Sequence, residues 1–380
     1  MDKVRIGMIG SQFIASIHAE SIGRHVRGAE LVAVASPTPG HAEAFAGRFA
    51  IPHVYEDYRG MLERADLDLI LVAVPNDLHC EMVCDAAEAG KHVIVEKPFC
   101  LNLAEADRMI QTCREQDVKL MYAEELCFTP KYVRLKELVD EGAIGDLILV
   151  KQAERHDGPH APHFWDVERS GGGVMMDMGC HAIEFFRWMV GREVGIASVY
   201  AEMGVTVHQE RTLGDDNSLC IVKFKNGVTG LAEESWVKKG GMDDRAEVIG
   251  SKGYASANLL QGNAILTYSE EGYGYAVEKA GSSRGWSFTI YEEAWNYGFP
   301  QEMQHFVDCV RHDETPLVTG EDGRAVLEVI YAAYASAAEQ RVISLPHGSA
   351  AKRPIEPWLQ ARARGGANLC ENESASKMGE

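Results

Sequence analysis

The chain has 380 residues, 46% of them hydrophobic, enough to build two cores rather than one. Its 37 Lys and Arg against 57 Asp and Glu give a formal charge of -20, which repels phosphate backbones and anionic membrane surfaces, so neither nucleic acid nor membrane is an expected partner. No run reaches the roughly 18 to 20 apolar residues of a bilayer span, and the start, MDKVRIGMIG, lacks a secretory pattern. Nine scattered cysteines then imply reduced thiols, and the expected location is cytoplasmic. Cys80 and Cys84, four apart on a predicted helix, read as small buried residues rather than a metal pair.

In chain order, VRIGMIG is followed by the helical FIASIHAESI, then AELVAVAS, HAEAFAGRF, LDLILVAVP, LHCEMVCDAAEAG and KHVIVEKP. Continuous Val/Ile/Leu runs alternating with amphipathic helices predict parallel strands buried on both faces, hence a doubly wound sheet. A further helix, NLAEADRMIQTCREQ, and a sixth strand, VKLMYAE, complete a dinucleotide-binding domain over residues 1–123. From Gly145 the rhythm changes. DLILVKQAER, IASVYAEM, NSLCIVKFKNG, VTGLAEESWV, DRAEVIGSKGYASANL and NAILTYS predict a largely antiparallel sheet. Helices at about 174–190, 300–312 and 322–340 would cover one of its faces. This makes residues 124–360 an α+β domain for substrate binding and oligomerisation, with 361–380 a disordered tail.

Three groups of residues carry chemistry. The first is the turn GMIGSQFIA, where Gly10, Ser11, Gln12, Phe13 and Ile14 join a strand to a helix whose N–H groups suit a pyrophosphate. In G-x-G-x-x-G/A fingerprints a middle glycine lets the backbone approach the phosphates, and here Gln12 stands in its place. The second strand ends in Ser36-Pro37-Thr38, with neither an acid for the ribose of NAD nor a nearby cation for NADP. NAD is the expected cofactor, with NADP left open.

The second group is Glu96-Lys97-Pro98 at the carboxyl end of the fifth strand, where the ligand crevice of a doubly wound sheet opens. A Lys closed in beside an oxidised nicotinamide is expected to have its pKa pushed below about 10.4. The third group is GGGVMMDMGCHAIEFFRWMVG, in which Asp177 and His181 lie four apart on one predicted helix face, so that the carboxylate can orient the imidazole. Upstream, ERHDGPHAPHFWD places Arg155, His156, His160, His163 and Trp165 on an irregular segment. Its polar groups beside aromatic rings suit a sugar. Three His at these spacings also allow zinc and a metal-dependent hydrolase, although the preferred reading holds no metal.

The order GxIGxxxxA, PNDLH (Pro75 to His79), VEKP (Val95 to Pro98) and GGGxxxDMGxH (Gly171 to His181) resembles the Gfo/Idh/MocA oxidoreductases over about residues 3–345. That resemblance implies a Rossmann domain joined to an open-sheet α/β domain, with Lys97, Asp177 and His181 as the catalytic group. His181 or Lys97 would take the proton of a secondary hydroxyl while hydride passes to the nicotinamide, and Asp177 would orient its neighbours. Pro75, Asn76, His79 and Glu96 would lie along the cofactor with Lys97. Within the family, the His/aromatic segment and the added EEGYGYAVEKAGSSRGWSF point to a sugar or glycoside, oxidised at C3 of a glucoside ring. Inositol or another cyclic polyol is the alternative, and a homo-oligomer, a dimer or larger, is expected.

Overall fold

Two sheets organise the protein, and the first is built from runs too apolar to face water on either side. In the computed structural model, which describes residues 3–260, 265–271, 282, 284–289 and 292–364, strands β1 (Val4–Ile9), β2 (Ala29–Ala35), β3 (His53–Tyr55), β4 (Leu69–Val72), β5 (His92–Glu96) and β6 (Leu120–Ala123) are all parallel. Their order is β3-β2-β1-β4-β5-β6, the doubly wound arrangement whose strand order reverses beside β1. Every residue of β4 and β6 is buried, which explains why these strands read as unbroken hydrophobic runs. Helices α1 (Phe13–His25), α2 (His41–Phe49), α3 (Tyr58–Leu62), α4 (His79–Glu88) and α5 (Leu103–Glu115) form the crossovers.

After α6 (Pro130–Asp140), whose first residue is a proline with no N–H to lose, the chain enters the second sheet. It comprises β7 (Leu147–Arg155), β8 (Ile196–Gly204), β9 (Asn217–Phe224), β10 (Thr229–Ser235), β11 (Asp243–Gly250) and β12 (Tyr254–Asn258). Strands β13 (Ile265–Ser269) and β14 (Gly285–Thr289) pair only with each other, so NAILTYS does not join the large sheet as expected. The seventh strand is instead β15 (Ile343–Ser344), giving the order β12-β11-β7-β10-β9-β8-β15, antiparallel apart from the β7–β10 pair. Alternation is clean in β9, where Ser218, Cys220, Val222 and Phe224 are buried while Leu219, Ile221 and Lys223 are exposed.

Helices α7 (Val167–Ser170), α8 (Val174–Asp177), α9 (Gly179–Val190), α10 (Glu293–Tyr297), α11 (Phe299–His312) and α12 (Gly320–Glu339) complete this half of the chain. Of these, α8 lies on β9 and β10, α9 on β7 and β10, and α12 on β8, whereas α11, expected on the same face, packs against α1 and β1 of the first domain. Helix α12 starts at a Thr319/Asp322 capping box and also packs against α5. The last helices therefore tie the two sheets into one body. Residues 356–364 are helical, so 361–364 are not part of a disordered tail. The tail from Gly365 and most of the Glu270–Phe288 segment lie outside the described residues. The eight described cysteines are free and buried, and no described helix is long and apolar enough to cross a membrane.

Candidate active site

Parallel strands bring their carboxyl ends to one edge, so Pro75 to His79 after β4, Lys97 after β5 and Glu124-Glu125 after β6 share a rim with the turn after β1. At that turn Gly10 has φ +120°, and a Cβ there would fall 2.0 Å from the Ala73 carbonyl oxygen. Glycine is required at this position. Gln12 is different: with φ -96° and ψ -159° it has extended backbone that any residue adopts, and its amide reaches Nδ1 of His41 at 3.3 Å. No side chain caps α1, so the N–H groups of its first turn remain for a phosphate, and the helix dipole adds to their pull.

Other residues expected along the cofactor divide. Ser11 Oγ donates to Ser36 Oγ at 3.0 Å, joining the ends of β1 and β2. Pro75 precedes a short 3-10 turn that carries Asn76, whose Nδ2 donates to the Ser170 carbonyl at 2.8 Å. Its Oδ1 is buried without a hydrogen-bond partner, an acceptor available to a ligand amide. Phe13 stacks on His160 with ring centroids 5.5 Å apart, so the turn touches the second domain. By contrast, His79 lies wholly buried between the carbonyls of Val74 (2.9 Å) and Phe99 (3.2 Å), a brace between strand ends rather than a surface along the cofactor.

Glu96 is likewise taken up by contacts within the protein. Its Oε1 meets Nε2 of the buried His18 at 2.5 Å, and its Oε2 accepts from the Lys97 backbone N–H at 2.9 Å. The carboxyl thus anchors the corner at Lys97-Pro98, a peptide bond that is cis. From that corner Lys97 Nζ reaches Oδ1 (2.9 Å) and the backbone carbonyl (3.1 Å) of Asp177, with the Phe164 ring 5.7 Å away. Asp177 Oδ2 accepts from Trp236 Nε1 at 3.2 Å.

The Asp177/His181 spacing does not produce the expected pair. The helix is interrupted at Met178, between α8 and α9, and each side chain takes a different partner. Asp177 holds Lys97, while His181 Nδ1 meets Oε1 of Glu124 at 2.5 Å. The Gly171-Gly172-Gly173 approach to α8 is fixed by Asp215, which accepts from the backbone N–H of Gly173 and Met175 and from Tyr334 Oη. A Cβ on Gly173 would stand 2.1 Å from the Asp215 carbonyl oxygen.

Protonation follows from these contacts. Burial works to lower the Lys97 pKa, but Asp177 and neighbouring acids outweigh it and hold the ammonium well above its ordinary value. The expected depression is therefore reversed, and Lys97 is a cation. Burial pushes Asp177 up, but the Lys97 charge and hydrogen bond bring it down to about 2. Burial takes His181 down to about 4, leaving a neutral imidazole near pH 7, even though Glu125 favours its charged form.

The His/aromatic segment is only partly assembled here. His156 is fully buried, bonded through Nδ1 to the Gly158 carbonyl at 2.7 Å and edge-on to His160 with centroids 4.5 Å apart. His163 packs on Phe164, and burial lowers its pKa to about 4. Trp165 packs edge-on against Trp236 with centroids 5.4 Å apart and carries the Arg211 guanidinium on its ring. Arg155 points the other way: strand alternation sends it to the opposite face of β7 from Glu154 and His156, where it pairs with Asp243 (2.8 Å) and Glu233 (3.3 Å). Among the described residues, the convergent set of metal-type donors is Glu124, Cys180 and His181, within 4.8 Å of one another, not the three loop histidines. Burial raises the Cys180 thiol, which donates to the Asp177 carbonyl.

This arrangement places a cationic Lys and a neutral His beside a helix N-terminus suited to a dinucleotide. The oxidoreductase family model for an NAD-binding Rossmann fold matches residues 4–124, and the one for its C-terminal alpha/beta domain matches residues 136–345. The chain belongs to the Gfo/Idh/MocA oxidoreductase family. It is similar to the myo-inositol 2-dehydrogenase of Thermotoga maritima, 32% identical over 90% of this chain and 98% of that protein. The scyllo-inositol 2-dehydrogenase (NAD(+)) of Bacillus subtilis is 29% identical over 87% of this chain and 93% of its own length. Among solved structures, GenD2 from gentamicin A biosynthesis in complex with NAD superposes with a TM-score of 0.85 at 28% identity, covering 91% of this chain and 97% of that one. As a Gfo/Idh/MocA protein, the chain is an NAD-dependent oxidoreductase, and its relatives are dehydrogenases of CH–OH groups, which overturns the hydrolase alternative.

Sequence reading missed Glu124, Glu125, Glu154 and Trp236. The two glutamates after β6 carry the same signal that marked Lys97, position at the carboxyl end of a parallel strand. Glu154 was marked by alternation with Gln152 along β7. Nothing local marks Trp236, which reaches Asp177 from 59 residues away.

Proposed function

We propose that the protein oxidises a secondary hydroxyl on a polyhydroxylated six-membered ring, a cyclitol or a pyranose, with His181 as base and Lys97 as the charge that stabilises the departing proton's oxygen. One observation carries this reading: Lys97 is held protonated by Asp177 while burial keeps His181 neutral, so the two groups are set in the complementary states that alcohol oxidation needs.

A proton on His181 Nδ1, facing Glu124, leaves the Nε2 lone pair to accept the hydroxyl proton. Lys97 has three N–H donors and gives two to Asp177, so the third is left for the oxygen from which the proton departs. The turn from Gly10 to Ile14, with Ser36 and Asn76, would hold NAD, which when bound would accept the hydride from the carbon that loses its hydroxyl proton. The inositol dehydrogenases among the relatives favour a cyclitol. A glycoside oxidised at C3 is the second reading, supported by the imidazoles of His156 and His160 beside the site.

The test is NAD reduction over a panel of inositols, free hexoses and glucosides, with identification of the keto product. His181→Gln is expected to lower kcat by about 10²–10⁴ while leaving NAD binding in place. Activity equal to wild type would overturn the assignment of the base. With ring substrates that carry no amine, an acid limb of kcat/KM near pH 4, rather than about 6.5, is the matching pH signature.

A further inference from the structure

Two carboxyls that the reaction above does not use stand beside the atom that accepts the proton. Glu125 Oε1 lies 3.8 Å and Glu154 Oε2 4.0 Å from Nε2 of His181. They arrive from separate elements, Glu125 from the turn after β6 and Glu154 from the inward register of β7. Both residues are more than nine-tenths buried, at 8% and 6% exposure, and Glu154 Oε2 has no hydrogen-bond partner. Among the described residues no Lys or Arg forms an ion pair with either: Lys97, whose charge favours ionisation of both, is bonded to Asp177, and Arg155 is on the far face of the sheet, while His156 Nε2 lies 4.0 Å from Glu154 Oε1.

Buried carboxyls without a cation are costly when ionised, and an ionised carboxyl can only accept hydrogen bonds. A ring hydroxyl offers one donor and no charge. An ammonium offers three donors and a positive charge beyond that of Lys97, and a substituent on the carbon next to the one whose hydroxyl meets Nε2 would be the part of the ring to meet these two carboxyls. We propose that the ring oxidised here carries a protonated amine beside the reacting hydroxyl, and that Glu125 and Glu154 bind that ammonium. This rests on the ring-hydroxyl reading above and names its substrate class as an aminocyclitol or amino sugar. The cofactor's positive ring is common to amino and hydroxy substrates, so it does not distinguish them.

Burial, with Glu124 and Glu96 beside it, raises Glu125 to about 7 against the pull of His181 and Lys97, and burial with Asp244 and Glu234 takes Glu154 well above the usual carboxylate range against Lys97, so Glu125 is half protonated at pH 7 and Glu154 holds its proton more tightly. Ammonium binding requires them to ionise. The preference for an amine therefore grows as pH rises through about 7, as long as the amine stays protonated.

The experiment measures NAD-dependent kcat/KM on matched pairs, inositol against inosamines and glucose against aminodeoxyglucoses, each with its N-acetyl derivative, at pH 6, 7 and 8. The expected result is at least about a tenfold preference for one amine over its hydroxyl and N-acetyl counterparts, equivalent to about 1.4 kcal/mol. Glu125→Gln and Glu154→Gln should each bring that ratio towards one, with NAD binding confirming that the variants are folded. The wild-type ratio tests the proposal even if a variant does not fold. Oxidation of hydroxyl rings with no amine preference overturns this proposal and leaves the ring-hydroxyl reading standing. Failure to oxidise any ring alcohol, amino or not, overturns both.

Discussion

At the scale of single residues, two positions in the cofactor turn separate a conformational requirement from a habit of sequence. Gly10 has a positive φ and no room for a Cβ, so Gly10→Ala is expected to abolish NAD binding or folding. Gln12 has ordinary extended backbone, so Gln12→Gly should change the NAD dissociation constant by less than about threefold, roughly 0.6 kcal/mol. Fluorescence titration with NADH distinguishes the two, and a large gain in affinity for the glycine variant would show that Gln12 obstructs the phosphates. Asp177 makes the other residue-scale case. Removing one partner of a buried ion pair costs about 3–5 kcal/mol, and here it also releases Lys97 to the burial that lowers its pKa. Asp177→Asn should therefore lower both Tm and kcat and bring the alkaline limb of kcat/KM to lower pH; an alkaline limb that stays in place would mean that Asp177 does not hold the Lys97 charge.

At the scale of elements, what the sequence disclosed depended on whether the signal was local. Buried parallel strands and amphipathic helices announce themselves by period, and β1, β2, β4, β5 and β6 were legible for that reason. Strand β3, only three residues long and partly exposed, has no such period. The break between α8 and α9 was invisible because Asp177 and His181 retain helical spacing while their partners come from β5, β6 and beyond. Alternation along β7 could have removed Arg155 from the site and added Glu154. The same alternation leaves Ile221, Leu219 and, in register with Ile221, Leu231 and Tyr200 on the uncovered face of the large sheet. A second copy of the chain is the expected cover for this row. Ile221→Asp should then reduce the molecular mass measured by light scattering without loss of helical signal. An unchanged mass would place the contact elsewhere or show a monomer.

At the scale of the whole molecule, acids dominate the interior as well as the surface. Burial raises Glu124, Glu154, Glu234 and Glu302 well above the usual carboxylate range and takes Glu125 and Asp244 to about 7. Each of these carboxyls binds its proton more tightly folded than unfolded, where the pKa is about 4. Its contribution to stability is therefore complete below about pH 4 and is lost as pH rises through the folded value. His181, lowered to about 4, acts in the opposite sense: its contribution is present above about 6.5 and is lost as pH falls towards 4. Each proton difference is worth about 1.4 kcal/mol per pH unit. The raised carboxyls, which also include Glu105, Glu184 and Asp215, outnumber the lowered imidazoles of His79, His92, His163, His181 and His305, and above about pH 6.5 the imidazoles no longer oppose them. The surface charge of -20 works in the same direction as the carboxyls, by self-repulsion. The cofactor-free protein should therefore lose Tm steadily from pH 5 to pH 8 in calorimetry at fixed ionic strength. A Tm that is flat or rises over that interval would mean that the interior carboxylates are already ionised in the folded protein, with charge compensation inside the fold.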